Sequence, residues 1–362
     1  MNRKRASGLD IDQGNLCSGV AYGWAKKTFA NRAERFGAPL PGLDDSFSNV
    51  MDMGGLGIAL SSDGIGTKVE LAERIGRYDT LGFDLVAMTA DDLAANGIEP
   101  VCLSNILDVD HLDAAVVDSL MRGLHDAANQ AQMAVVGGEI AELGDRIGGY
   151  GPGMHFNWCA TALGVLPTGL SPISGHEVEP GHDVFALRSR GFRSNGFSLL
   201  RRVMESCFGD GWHDARYDEQ ATWGEVLLTP SLIYSPLITR LRRAGVNLTA
   251  VAHITGGGVE DNLARMLRPA GAGADLTGLH PPLPFMLKVQ ELGGVDEAQA
   301  YRLWNMGNGM LLVAPPDARE SIMTLAAELD YDIRVAGAVP SRPKISIQTR
   351  GLHPTVLERP LD

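Results

Sequence analysis

Apolar positions along this chain recur with two periods, and their alternation marks out its elements. Between His111 and Met133, Leu112, Val116, Leu120, Leu124 and Ala128 follow helical spacing and predict an amphipathic helix. Short apolar runs flank it. Pro100–Leu107 before it, Ala134–Val136 after it and Trp158–Leu166 further on each predict a strand, and strand–helix–strand order predicts an α/β unit. Leu166–His182 is rich in Pro, Gly and Ser and reads as a boundary. A second unit follows, with strands expected at Asp183–Leu187, Asn308–Ala314 and Ile333–Val339. Helices are expected over Gly196–Cys207, Pro230–Ala244, Val259–Leu267 and Ala318–Leu329. The pattern predicts an α/β (α+β) chain of two domains, residues 1–167 and 168–341, with a peripheral tail at 342–362.

Composition narrows the class. At 362 residues two domains are the default. A net charge of −13 argues against nucleic acid or an anionic membrane as the main partner, although a local pocket can still be positive. The 44 glycines cluster with Asp, Glu, Asn or Thr and read as backbone-exposing loops. Cys17, Cys102, Cys159 and Cys207 form no CxxC pair; Cys102 and Cys159 lie in apolar runs and read as buried thiols. The basic start Met1–Arg5 is not followed by an apolar core, and no apolar run approaches the roughly 20 residues of a membrane span. A cytoplasmic, reduced protein is expected.

Chemistry concentrates in a few glycine-rich segments. Asp63-Gly64-Ile65-Gly66-Thr67-Lys68 follows the apolar run Gly57–Leu60. Two glycines would let backbone N–H groups converge, Lys68 adds a positive charge, and Asp63 offers a carboxylate for a divalent cation. The set suits a polyphosphate with its metal, yet lacks Walker A spacing. Asp91-Asp92 sits in a helical stretch where Leu85, Met88 and Leu93 would face the core and the acids point away; a solvated face is the plain alternative. Gly137-Gly138-Glu139 ends an apolar run expected to be a buried strand, a place where α/β folds gather ligands. Asp63, Asp92 and Glu139 would together give magnesium three oxygen ligands.

His253-Ile254-Thr255-Gly256-Gly257-Gly258 precedes a helix, whose positive end suits a phosphate. His253 reads equally as an acid–base group or as a core histidine holding the loop. Arg193-Ser194-Asn195-Gly196 is a similar entry: Ser194 or Asn195 would cap the helix, or Arg193 would meet an anion. Asn305–Met310 reads as a structural glycine turn, and the remaining histidines, His182, His213 and His280 among them, as surface or loop residues.

Six blocks in order carry a resemblance. They are Gly8–Asp12 with Gly14-Asn15, Asp63–Lys68, Tyr78–Leu93 with Gly97 and Glu99-Pro100, Gly137–Glu142, Ser194–Leu199, and His253–Gly258. From about Gly8 to about Val339 the chain resembles the phosphoribosylformylglycinamidine cyclo-ligase (aminoimidazole ribonucleotide synthetase) family. The resemblance implies a homodimer whose amino-terminal sheets pair into a barrel, with carboxy-terminal α/β domains covering the clefts. It implies ATP and Mg2+, which phosphorylate the formyl amide oxygen of a small phosphorylated substrate before the amidine nitrogen closes an imidazole ring. On that analogy the catalytic residues are Asp63, Lys68, Asp92 and His253. Gly64, Gly66, Thr67, Lys68, Asp79, Thr80, Gly137 and Gly138 would hold nucleotide, and Asp63, Asp92 and Glu139 metal. Arg193–Gly196 and Thr255–Gly258 would hold substrate.

The chain departs from that family at Tyr22, where a lysine is usual, and at Arg193, where a histidine precedes Ser-Asn-Gly. It departs also at Asp45–Asn49 in place of a glycine-rich segment, and at Leu143–Asp145. These changes fall on the expected substrate side, so a superfamily paralogue using ATP on another acceptor remains the alternative.

Overall fold

The computed structural model describes residues 11–43 and 46–361. Gly8–Asp10 of the first block and Asp45 lie outside them, as do the side chains of Asp12 and Asn15. The first half runs α1 (Ile11–Lys27), β1 (Ala38–Pro39), β2 (Val50–Asp52), β3 (Gly57–Gly64), α2 (Lys68–Ile75), α3 (Leu81–Ala95), β4 (Glu99–Val109), α4 (Ala114–Ala131), β5 (Ala134–Glu142) and β6 (Phe156–Val165). Its six strands form one sheet in the order β1-β2-β3-β6-β4-β5. Only β4 and β5 in it run parallel, because α4 carries the chain across between them. Asp113 starts α4 as its N-cap, accepting from the amides of Ala115 (2.8 Å) and Val116 (3.2 Å).

The second half runs β7 (Asp183–Arg188), α5 (Phe197–Phe208), α6 (Trp223–Leu227), α7 (Ser235–Arg243), β8 (Ala250–His253), α8 (Gly258–Leu267), β9 (Ala274–Leu276), α9 (Pro284–Gly293), α10 (Glu297–Leu303), β10 (Asn308–Ala314), α11 (Arg319–Glu328), β11 (Ile333–Ala338), β12 (Lys344–Gln348) and β13 (Val356–Pro360). Its seven strands are ordered β13-β12-β9-β11-β7-β10-β8. The segment 342–361, expected at the periphery, supplies the edge strands β12 and β13, with Ile345 and Ile347 buried.

Helix α3 is the beam between the halves. One side packs on β3, β6 and β4, and the others meet α4, α7 and β8. It is therefore buried nearly all round, which a helix with apolar residues on one face and paired acids on another does not announce. It crosses α4 closely because Gly82 and Gly123 leave no side chains between the backbones; a Cβ on Gly123 would strike the carbonyl oxygen of Asp79.

Several expectations change here. Strand β5 is an exposed sheet edge in this copy of the chain, not a buried strand. Cys102 and Cys159 are only partly buried, since β4 and β6 turn one face outward; all four cysteines are free. His182, His213 and His280 are buried rather than on the surface. His280 is held by its Nε2 to the carbonyl of Ala186 at 3.0 Å, a backbone partner that spacing cannot reveal.

Candidate active site between the two sheets

The polar positions of α3 build the site. Asp84 and Asp91, two helical turns apart, lie on one face and both are fully buried. Asp84 holds the Lys68 ammonium at 2.7 Å and accepts the Ser231 hydroxyl at 2.5 Å. Lys68 also donates to the carbonyl of Thr229 at 2.8 Å. Burial lowers the Lys68 pKa and raises that of Asp84, each opposed by the other's charge. Lys68, expected at a nucleotide phosphate, is thus committed to an ion pair within the first half, which the Thr229 carbonyl and the Ser231 hydroxyl tie to the second half.

Asp91 does similar work one step further along. It accepts the backbone N–H groups of Tyr234 and Ser235, each at 2.8 Å, at the start of α7. It also accepts Nη2 of Arg193 at 2.8 Å. Arg193 is 1% exposed, lies 4.9 Å over the Tyr234 ring and donates to the carbonyl of Gly309 at 3.3 Å. Its φ of +61° is unusual for a residue with a side chain and is held by these contacts. The expected anion contact at Arg193 is therefore corrected: its charge is spent on Asp91. The acids of α3 do not both point away from the core either.

Asp92 is rotated by about 100° from Asp91 and reaches a cavity. Its side chain is 19% exposed and accepts Nδ1–H of His253 at 2.8 Å and the Ser61 hydroxyl at 3.4 Å. Phe47, Asn49, Ser61 and Ser62 line the same cavity of about 450 Å³. Burial pushes Asp92 up to about 7, against the lowering charge of Arg265. Asp63, on the helix-facing side of β3, is raised to about 6 by burial, with the nearby Asp92 charge adding and the Gly64 amide at 2.7 Å opposing. Burial and then the Arg193 charge lower His253 to about 3, so the imidazole is neutral at physiological pH. Its Nε2 is buried, without a hydrogen-bond partner, 4.0 Å from Asp91.

Three glycine loops, one of them following Asp63 and another following His253, approach one another. Gly66 lies against the carbonyl of Ser194, and Gly256 against the side chain of Asn195. The Thr67 and Ser198 hydroxyls are 3.3 Å apart. Gly196 caps α5 at φ +79° with no side-chain cap, so neither Ser194 nor Asn195 serves as the expected cap. Gly257 and Gly258 also have positive φ, and a Cβ on Gly258 would strike the carbonyl of Tyr301. Asn262 steadies that loop, donating to the carbonyls of Gly256 (3.2 Å) and Gly258 (2.8 Å), while Thr255 donates to Asn262 at 3.4 Å.

Other expected residues stand apart. Asp79 and Thr80 are at the far end of α3 from Asp92, about 18 Å along the helix. Asp79 is ion-paired with Arg77 at 3.0 Å. Gly138 shares a sheet row with Asp63 through Ala160 and Asn105, three strand spacings or about 14 Å away. Glu139, next along β5, points to the opposite face of the sheet, as strand alternation requires. The three-carboxylate metal set is not assembled: among the described residues no three His, Cys, Asp or Glu lie close enough to hold a metal. Asp63 and Asp92 remain a pair, both raised by burial and Asp63 also by the Asp92 charge. That fits magnesium, which takes one or two carboxylates beside phosphate oxygens.

Sequence reasoning missed a second cavity of about 410 Å³ beside the first, lined by Arg265, Arg268, Arg359, Tyr22 and Gly256. Arg265 lies 4.6 Å over the Phe47 ring, and that ring is 6.4 Å from His253. Arg265 and Arg268, three apart at the end of α8, were the available signal; Arg359 lay in the segment read as a tail.

Residues 45–166 match the N-terminal domain of AIR synthase related protein, and residues 179–350 match its C-terminal domain. The chain belongs to the AIR synthase related family. It is 33% identical, over 96% of its length and 98% of the relative's, to phosphoribosylformylglycinamidine cyclo-ligase of Thermococcus kodakarensis. It is 36% identical to the protein of that name in Symbiobacterium thermophilum, over 79% of this chain and 82% of the relative. The solved structure of hydrogenase maturation protein HypE in complex with ATP shares the fold. Its TM-score is 0.54 at 17% identity, covering 84% of each chain. In this family member the fold matches the α+β expectation, with two sheet layers. No helix among the described residues is long and apolar enough to cross a membrane.

Proposed function

We propose that this chain is a phosphoribosylformylglycinamidine cyclo-ligase, which uses ATP to convert formylglycinamidine ribonucleotide to aminoimidazole ribonucleotide, ADP and phosphate. One observation supports it most: the loops at Gly64–Thr67, Ser194–Gly196 and Thr255–Gly258 approach one another, the first following Asp63 on β3 and the last following His253, which Asp92 holds. They do so in a chain that aligns almost end to end with enzymes of that name. An amide oxygen is a poor leaving group until phosphorylated. The formyl oxygen takes the γ-phosphoryl group, the amidine nitrogen attacks the same carbon, and phosphate departs as the ring closes. Magnesium held by Asp63 and Asp92 would neutralise charge on the transferring phosphoryl group.

The chain's own groups then take stated roles. Amide N–H groups of Gly256–Gly258, at the positive end of α8, face developing phosphate charge. The Asp92 carboxylate fixes His253 with Nδ1–H as donor, leaving Nε2 unprotonated and buried without a hydrogen-bond partner. Lys68 and Arg193 are positioning residues, joining α3 to the second half. Of the positions that depart from the family pattern, Tyr22 and Ser46–Asn49 line the two cavities, whereas Arg193 is sealed away.

We read the protein as a cytoplasmic homodimer. Leu60, Val101 and Ile106 are exposed on the first sheet, and a second copy of that sheet would cover them. The activity is tested by incubating purified protein with ATP, Mg2+ and formylglycinamidine ribonucleotide. Aminoimidazole ribonucleotide should appear in step with phosphate. Nucleotide hydrolysis that responds to another acceptor, with no imidazole product, would replace this reading with that of a paralogue.

A further inference from the structure

The arginine cavity beside the carboxylate cavity has no role in the account so far. Arg359 is held by Asp261 and lies 3.5 Å from Glu260. Arg265 is stacked on Phe47. Arg268, on the short turn after α8, is exposed and has no ion-pair partner among the described residues. Three guanidinium groups thus face one space, with Asp261 already engaged by Arg359. Gly256, ahead of the amino terminus of α8, forms part of the wall.

That chemistry selects among phosphates. A triphosphate comes with its metal and needs free carboxylates such as Asp63 and Asp92, whereas the one carboxylate lining this cavity, Asp261, is already paired with Arg359. A phosphate monoester needs no metal and is bound by guanidinium forks. Tyr22 and Arg359 lie outside both stretches that match the family's domains, 45–166 and 179–350. Phe47 separates this cavity from Asp92 and His253, so a ligand anchored among the arginines would present its other end to the carboxylates across one aromatic ring.

We propose that the cavity of Arg265, Arg268 and Arg359 anchors the phosphate monoester end of the acceptor substrate, with Arg268 as its principal contact. The inference rests on the acceptor being phosphorylated, as in the proposed function. Its test uses ribose 5-phosphate as the probe. Calorimetry should show binding to the wild type, and kinetics should show competition with formylglycinamidine ribonucleotide but not with ATP. Arg268→Ala should weaken probe binding and raise KM for the acceptor by about tenfold or more, the loss expected of one charge-assisted contact. KM for ATP should stay unchanged, and Arg268→Lys should recover part of the loss.

Probe affinity unchanged in both Arg268→Ala and Arg359→Ala would overturn the anchor, as would competition against ATP. Absence of imidazole product from the wild type would refute the proposed function instead. Direct binding of ribose 5-phosphate would still decide for or against the anchor.

Discussion

At the scale of single residues, burial decides what each charged group can do. Arg193 reads in the sequence as a cation in a polar turn, free to meet an anion. Its partner Asp91 stands 102 residues away and is visible only once α3 is packed. Arg193→Ala would leave Asp91 charged and buried, and should cost about 3–5 kcal/mol of stability. Replacing both partners with apolar residues, Asp91→Leu with Arg193→Met, should recover much of it in chemical denaturation. Asp92 gives a second expectation, with a sign that can be worked out. Its folded pKa of about 7 lies above the usual 3.8, so the wild type gains stability below 3.8 and loses it as pH rises through about 7. Asp92→Asn has no such loss. Its stability relative to wild type should therefore climb from pH 4 to about 7.5 and then level off, by about 1 kcal/mol or more. A flat difference across that range would show that Asp92 is solvated. In the same variant, turnover should fall by about a hundredfold, as for other lost charge stabilisation.

Elements were more legible than their surroundings. The helix at Ala114–Ala131 follows directly from spacing, because one face is buried and the other is not, and the strand Asn308–Ala314 follows from its continuous apolar run, because it is buried on both faces. Helix α3 defeats that logic. It is wrapped by both sheets, and its acids are buried with distant cations, so the usual solvated-face reading fails. Strand β5 fails in the opposite sense: Val135, Val136 and Ile140 are apolar yet exposed, as expected of a surface awaiting a partner. The glycine loops were legible because φ beyond 0° and close backbone approach leave glycine few substitutes. The arginine cavity was not, since its walls come from α1, α8 and β13. The crossing of α3 on α4 is open to test. Gly123→Ala would force the helices apart at Asp79, and should lower stability by about 1–3 kcal/mol. A melting temperature equal to wild type would mean that the crossing is looser than the packing implies.

At the scale of the molecule, the two halves are joined along α3 by the buried Asp91–Arg193 pair and by the contacts of Thr229 and Ser231 with the Lys68–Asp84 pair, and the site lies where they meet. The open face of the first sheet exposes Leu60 and Ile106. Ile106→Glu should convert a dimer to a monomer in analytical ultracentrifugation, whereas a mass unchanged from wild type would remove that face from any interface. The central claim is that carboxylates on β3 and α3 and glycine turns from both halves form one metal–triphosphate cleft. Titration calorimetry with ATP tests it most directly, in wild type, Asp63→Asn and Asp92→Asn, with and without Mg2+. Wild type should bind ATP tightly only with the metal, and each variant should lose that metal-dependent gain. Equal, metal-independent binding by all three proteins would contradict the account.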